Sequence, residues 1–87
     1  MEHKYLLLRV VAKSGRVDKA ISHMGRGMLK MWAMINTSKS FQTFVIDIEN
    51  ENVIFHVTGK TDKISDKIFP MEEIGLTREM LKEVMKS

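Results

Sequence analysis

The stretch Arg16-Val-Asp-Lys-Ala-Ile-Ser-His-Met-Gly-Arg-Gly-Met-Leu-Lys-Met-Trp-Ala-Met-Ile-Asn36 decides how this chain is to be read. At about 100° per residue, Val17, Ala20, Ile21, Met24, Met28, Met31, Trp32 and Ile35 fall within roughly 60° of Val17 and make one apolar stripe. This spacing predicts a single amphipathic helix over 16–36. Ser14 or Gly15 is placed to cap it, and Asp18 stands in its first turn, where a negative charge suits the helix dipole. Asn36-Thr-Ser-Lys-Ser40 ends it. Gly25 and Gly27 are the objection, since each costs about 1 kcal/mol relative to Ala inside a helix. They permit either a bend or close backbone approach, or a break into two short helices at Gly25-Arg26-Gly27. The apolar phase runs unbroken across them, which favours one helix.

Working outward, Tyr5-Leu-Leu-Leu-Arg-Val-Val-Ala12 reads as a strand that stops at the turn signal Lys13-Ser14-Gly15. Its two faces, Leu6/Leu8/Val10/Ala12 and Tyr5/Leu7/Arg9/Val11, are both mostly apolar, as in a central strand. Phe41–Ile48 and Val53–Thr58 read as a hairpin. Pairing Ile48 with Val53, Ile46 with Phe55 and Phe44 with Val57 puts six apolar side chains on one face, and that choice sets the expected register. Residues 59–75 read as a short edge strand or an irregular loop. Thr77–Lys86 reads as a C-terminal helix capped by Thr77, with a stripe of Met80, Leu81, Val84 and Met85.

The order is β-α-β-β-(x)-α in one small domain, 1–87. The expected class is α+β: a two-layer sandwich with a three- or four-stranded, mainly antiparallel sheet, one long helix on one face and a short C-terminal helix. In topology it is similar to a ferredoxin-type arrangement whose last strand is short, missing or supplied by 60–69, a likeness that implies no activity.

With 87 residues, 44% hydrophobic and 29% charged, the chain has the composition of an ordinary globular domain and leaves little room for a deep substrate cavity. Cysteine is absent, which removes disulfides, thiolate zinc sites and thiol catalysis. No stretch approaches the roughly 18 apolar residues of a membrane span, and Met1-Glu2-His3-Lys4 does not open a signal peptide. A cytoplasmic protein without membrane contact is expected.

The net charge of +3 is unevenly spread. Residues 1–40 hold eight Lys/Arg and two acids, whereas 41–87 hold six and nine. One basic and one acidic surface are expected, facing a partner or each other. On the predicted helix, Arg16, Lys19, His23, Arg26 and Lys30 recur at spacings of 3, 4, 3 and 4 opposite the apolar stripe, with Lys13 just before them. No acid interrupts that arc. It is the candidate surface for nucleic acid or an acidic protein partner, although a solvated helix face accounts for it equally well.

Tyr5, Leu7, Val11, Val45 and Ile54 form the second candidate, an apolar sheet face to be covered by the C-terminal helix or by a second copy in a homodimer. The methionines of the long helix read mainly as adaptable core, with Met34 off the stripe, and alternatively as a plastic docking surface. Catalytic signals are poor. His3, His23 and His56 lie on different elements, Asp47 and Glu49 read as solubilising strand acids, and no phosphate loop follows the first strand. No enzyme activity, cofactor or metal is expected.

Overall fold

The stretch 16–36 does not fold as one helix. The computed structural model describes residues 5–22, 26–58 and 63–86, and in it Val17–Ser22 is a strand while helix begins at Arg26. The elements are β1 (Tyr5–Val11), β2 (Val17–Ser22), α1 (Arg26–Asn36), β3 (Phe41–Asp47), β4 (Asn52–Thr58), β5 (Lys63–Ser65), β6 (Phe69–Pro70), a 3-10 turn at Met71–Ile74, and α2 (Arg78–Lys86). This is a compact α+β fold. Its sheet has the order β2-β1-β3-β4-β5, with β6 also on β4, and every pairing among the described residues is antiparallel. Among the described residues the sheet has six strands, against the three or four expected. The ferredoxin-type order is absent, because β2 reverses the chain before α1 and leaves β1 and β3 antiparallel neighbours.

Local chemistry explains β2. The Val11 N–H donates to the Arg16 carbonyl at 2.8 Å, and Gly15 takes φ 75°, a left-handed conformation that glycine adopts without a Cβ penalty. That turn folds β2 back along β1, pairing Leu7 with Ile21 and Leu8 with Ala20. Arg9 pairs with Lys19 and Val10 with Val17, so Asp18 is an extra, bulged residue. Asp18 therefore serves no helix dipole; its Oδ2 accepts from Arg9 Nε at 2.7 Å. With the bulge, a strand satisfies the same apolar positions (17, 20, 21) that match a helix. The strand also supplies hydrogen-bond partners along the edge of β1.

The β3–β4 hairpin departs from its expected register. Asp47 pairs with Asn52 across a four-residue turn, Ile46 with Val53, and then Val45 with Phe55 and Thr43 with Val57. Ile54 is the extra residue. This slip sends Phe55 and Val57 to the face opposite Phe44 and Ile46. Both sheet faces are buried, so gathering the apolar side chains on one face gives the expected pairing no advantage.

On one face Leu7, Val45, Ile54, Phe55 and Val57 pack with Leu29 and Ala33 of α1. On the other Leu6, Leu8, Val10, Phe44, Ile46 and Val53 pack with Met71, Leu76 and Leu81. Both faces of the sheet are thus covered, one by α1 and the other by residues 71–81. α2 follows Thr77, whose Oγ1 accepts from the Met80 N–H at 3.2 Å. No helix among the described residues is long and apolar enough to cross a membrane.

Candidate interaction surfaces

The continuous cationic arc does not exist. Arg16 lies in the turn before β2 and Lys19 lies on β2 itself, both exposed. His23 lies outside the described residues. Arg26 is the first residue of α1. Ser22, which ends β2, pairs with Leu6 at the start of β1, so α1 begins at the end of the sheet away from Lys13 and Arg16. Lys30 is not bare: its Nζ is 2.8 Å from Asp66 Oδ1 and 5.1 Å from the centre of the Phe55 ring. A carboxylate from the β5–β6 connection thus neutralises the one cation that α1 presents among its described side chains.

The part of the arc that survives is a basic end. Lys13 and Lys39 line one shallow hollow of about 480 Å³ with Val11, Ala12 and Ser40. The β1–β2 turn and the α1–β3 connection meet there, tied by the Ala12 N–H donating to the Ser40 carbonyl at 2.9 Å. Lys13, Arg16 and Lys39 are exposed, and among the described residues none of them forms an ion pair. The opposite end, at the β3–β4 turn, carries Asp47, Glu49 and Glu51. Asp47 is engaged locally, its carboxylate accepting from Asn50 Nδ2 at 2.7 Å, and Glu51 pairs with Arg78.

The apolar sheet face expected to await a partner is covered, and α1 covers it. Leu7, Val45 and Ile54 are buried there with Tyr5 packed beside them, while Val11 is half-buried at the hollow. The helix on this face is therefore the first one, and no second copy is needed to shield it. Arg9 secures one end of this layer: its guanidinium sits 4.6 Å from the Phe41 ring centre and donates to Asn36 Oδ1 at 3.2 Å.

α1 itself is rotated relative to expectation. Leu29 and Ala33 are fully buried, whereas Met28, Met31, Met34 and Ile35 are 47%, 49%, 41% and 69% exposed. The predicted stripe takes its phase from Val17. Once the helix starts at Arg26, Leu29, Trp32 and Ala33, at i, i+3 and i+4, form an equally good inner face. The three methionines and Ile35 then form an outer one. Methionine content marked these residues in the sequence; the inward phase concealed their exposure.

His56 is half-buried, its ring stacked on Phe44 at 4.2 Å between centroids and its Nε2 3.0 Å from Gln42 Oε1. Burial holds its pKa below the usual histidine value. Its hydrogen-bond neighbour is an amide and not a carboxylate or nucleophile, a pairing that offers no acid–base relay. The chain matches no protein-family model, no curated protein and no solved structure.

Proposed function

We propose that this chain is a non-enzymatic interaction module, and that it associates with a second copy of itself through the outer face of α1. The observation that carries the reading is the exposure of Met28, Met31, Met34 and Ile35 on a helix whose other side buries Leu29 and Ala33 completely. A contiguous apolar surface of this kind on a small domain is characteristic of a contact surface, and methionine adapts to an imperfect partner. Met28, Met31 and Ile35, at i, i+3 and i+7, form a seam suited to packing against another helix. The Lys30–Asp66 pair leaves that seam without an uncompensated described charge, so two copies meet without repulsion. Ile64, 47% exposed and paired with buried Val57 on the same side of the sheet, extends the surface.

A patch of a few hundred Å² per copy is small for a specific interface, so the association is weak, with dissociation on the order of tens to hundreds of micromolar. Light scattering across roughly 10 µM to 1 mM is the test. The expected result is a rising mass that Met31→Lys with Ile35→Lys abolishes while the thermal midpoint is unchanged. A strict monomer throughout, or a double variant that associates like the parent, overturns the reading.

The basic end favours a second reading, contact with nucleic-acid phosphates through Lys13, Arg16 and Lys39. The supporting observation is that these three cations share one end of the sheet without carboxylate partners among the described residues.

A further inference from the structure

The face of the sheet opposite α1 is incompletely filled. Between it and the chain at 74–80 lies a cavity of about 400 Å³, within the range of small-molecule sites. Leu8, Val10, Phe44, Phe69, Leu76 and Met80 supply most of its wall. Gly15 and Gly75 also line it, and a Cβ on either would meet nothing within 4 Å. Among the described residues that line it there is no lysine, arginine, aspartate or glutamate, and the hydrogen-bonding side chains are His56 and Gln42.

Those two side chains are joined by one hydrogen bond of 3.0 Å. If His56 Nε2–H donates to Gln42 Oε1, the ring keeps Nδ1 as an acceptor and the amide keeps its N–H donors. If the amide is turned the other way, the ring keeps an N–H donor and the amide keeps its oxygen. Either way the pair retains one donor function and one acceptor function. Neither side chain has another hydrogen-bond partner among the described residues.

We propose that this cavity binds a neutral, predominantly apolar small molecule that presents one amide- or hydroxyl-type group to the His56–Gln42 pair. The apolar wall supplies affinity through burial, and the pair orients the ligand. An anionic ligand is disfavoured because no cation among the described residues lines the wall, and burial of the His56 ring penalises its charged form. The site lies across the sheet from the outer face of α1 and does not depend on self-association.

The probe for the test is N-phenyl-1-naphthylamine, an apolar neutral fluorophore with one N–H, with 8-anilinonaphthalene-1-sulfonate as its anionic counterpart. The expected result is one neutral probe per chain and weaker binding of the sulfonate. Val17→Trp, which fills the cavity, should weaken binding at least about tenfold. His56→Phe, which keeps an aromatic ring against Phe44, should weaken it by roughly three- to tenfold. Met31→Lys should leave it unchanged. Absence of binding, several probes per chain, tighter binding of the sulfonate, or full binding by Val17→Trp overturns the proposal. Should Val17→Trp lose its far-ultraviolet circular dichroism, amide shift mapping on the parent protein decides. Probe-induced shifts gathered at Gln42, Phe44, His56 and Leu76 sustain the site; shifts gathered on α1 overturn it.

Discussion

His56 shows how one residue couples burial to stability. Its ring is stacked on Phe44 and partly removed from water, which penalises the imidazolium and lowers the folded-state pKa below 6.5. In the unfolded chain the ring titrates near its ordinary value of about 6.5. Between those two values the unfolded state holds a proton that the folded state does not, so stability falls as pH drops through that window and is fully present above it. Urea midpoints should therefore decline as the pH is lowered from about 7.5 through the ordinary histidine value of about 6.5. His56→Phe should flatten part of that decline while keeping a stacked ring, with the remaining histidines common to both proteins. Identical pH profiles for parent and variant would show that this ring contributes nothing. The sequence places His56 on an element apart from His3 and His23. It does not reveal the Phe44 stack, because the expected register puts the two residues on opposite faces.

At the scale of elements, the C-terminal end of α1 is joined to the sheet by two buried hydroxyls. Thr37 Oγ1 lies 2.7 Å from the Ala33 carbonyl oxygen and 2.9 Å from Thr43 Oγ1, and Thr43 is fully buried. The two threonines are not equivalent. Thr43→Val leaves the Thr37 hydroxyl a partner in Ala33. Thr37→Val leaves the Thr43 hydroxyl buried with none among the described residues. An orphaned buried hydroxyl costs about 1–3 kcal/mol, whereas removing both polar partners together is close to neutral. Urea unfolding followed by Trp32 fluorescence should show Thr37→Val more destabilised than Thr43→Val, with the double variant recovering part of the difference. Equal losses would mean that the hydroxyl pair is not what fastens the helix. The same end of α1 shows what a sequence conveys and what it hides. β1, the β3–β4 hairpin, α2 and its Thr77 cap are legible, because each is bounded by its own turn or cap residues. The 16–22 segment is not legible as a strand. Val17, Ala20 and Ile21 satisfy a helical period and a bulged strand alike, and only the need of β1 for an edge partner separates the two. The exposed side of α1 was hidden for the same reason, since a phase anchored on Val17 points Met28, Met31 and Ile35 inward.

Across the whole molecule, about 32 Å in its longest dimension, charge is divided along the strands. β1 runs from Tyr5, paired with Asp47, to Val11, paired with Phe41, so the acidic β3–β4 turn and the basic Lys13–Arg16–Lys39 end stand at opposite ends of the sheet. The charge asymmetry between the two halves of the chain thus becomes a spatial one, although the element expected to display it, a basic helix, is absent. This geometry changes which substitutions matter for binding an anion. Lys30 is committed to Asp66, and Arg26 begins α1 at the end away from Lys13. Lys13→Glu with Lys39→Glu should therefore abolish whatever affinity the protein has for duplex DNA at low salt, while Lys30→Glu should leave it nearly intact. Three phosphate contacts imply a slope of about −2.7 for log affinity against log salt concentration. Fluorescence anisotropy with a labelled duplex from about 20 to 200 mM salt measures both quantities. A slope much steeper than about −5 would require cations beyond this end to take part. Loss of binding on Lys30→Glu but not on the Lys13 and Lys39 changes would move the contact to α1, the surface that the reading reserves for a second copy of the chain.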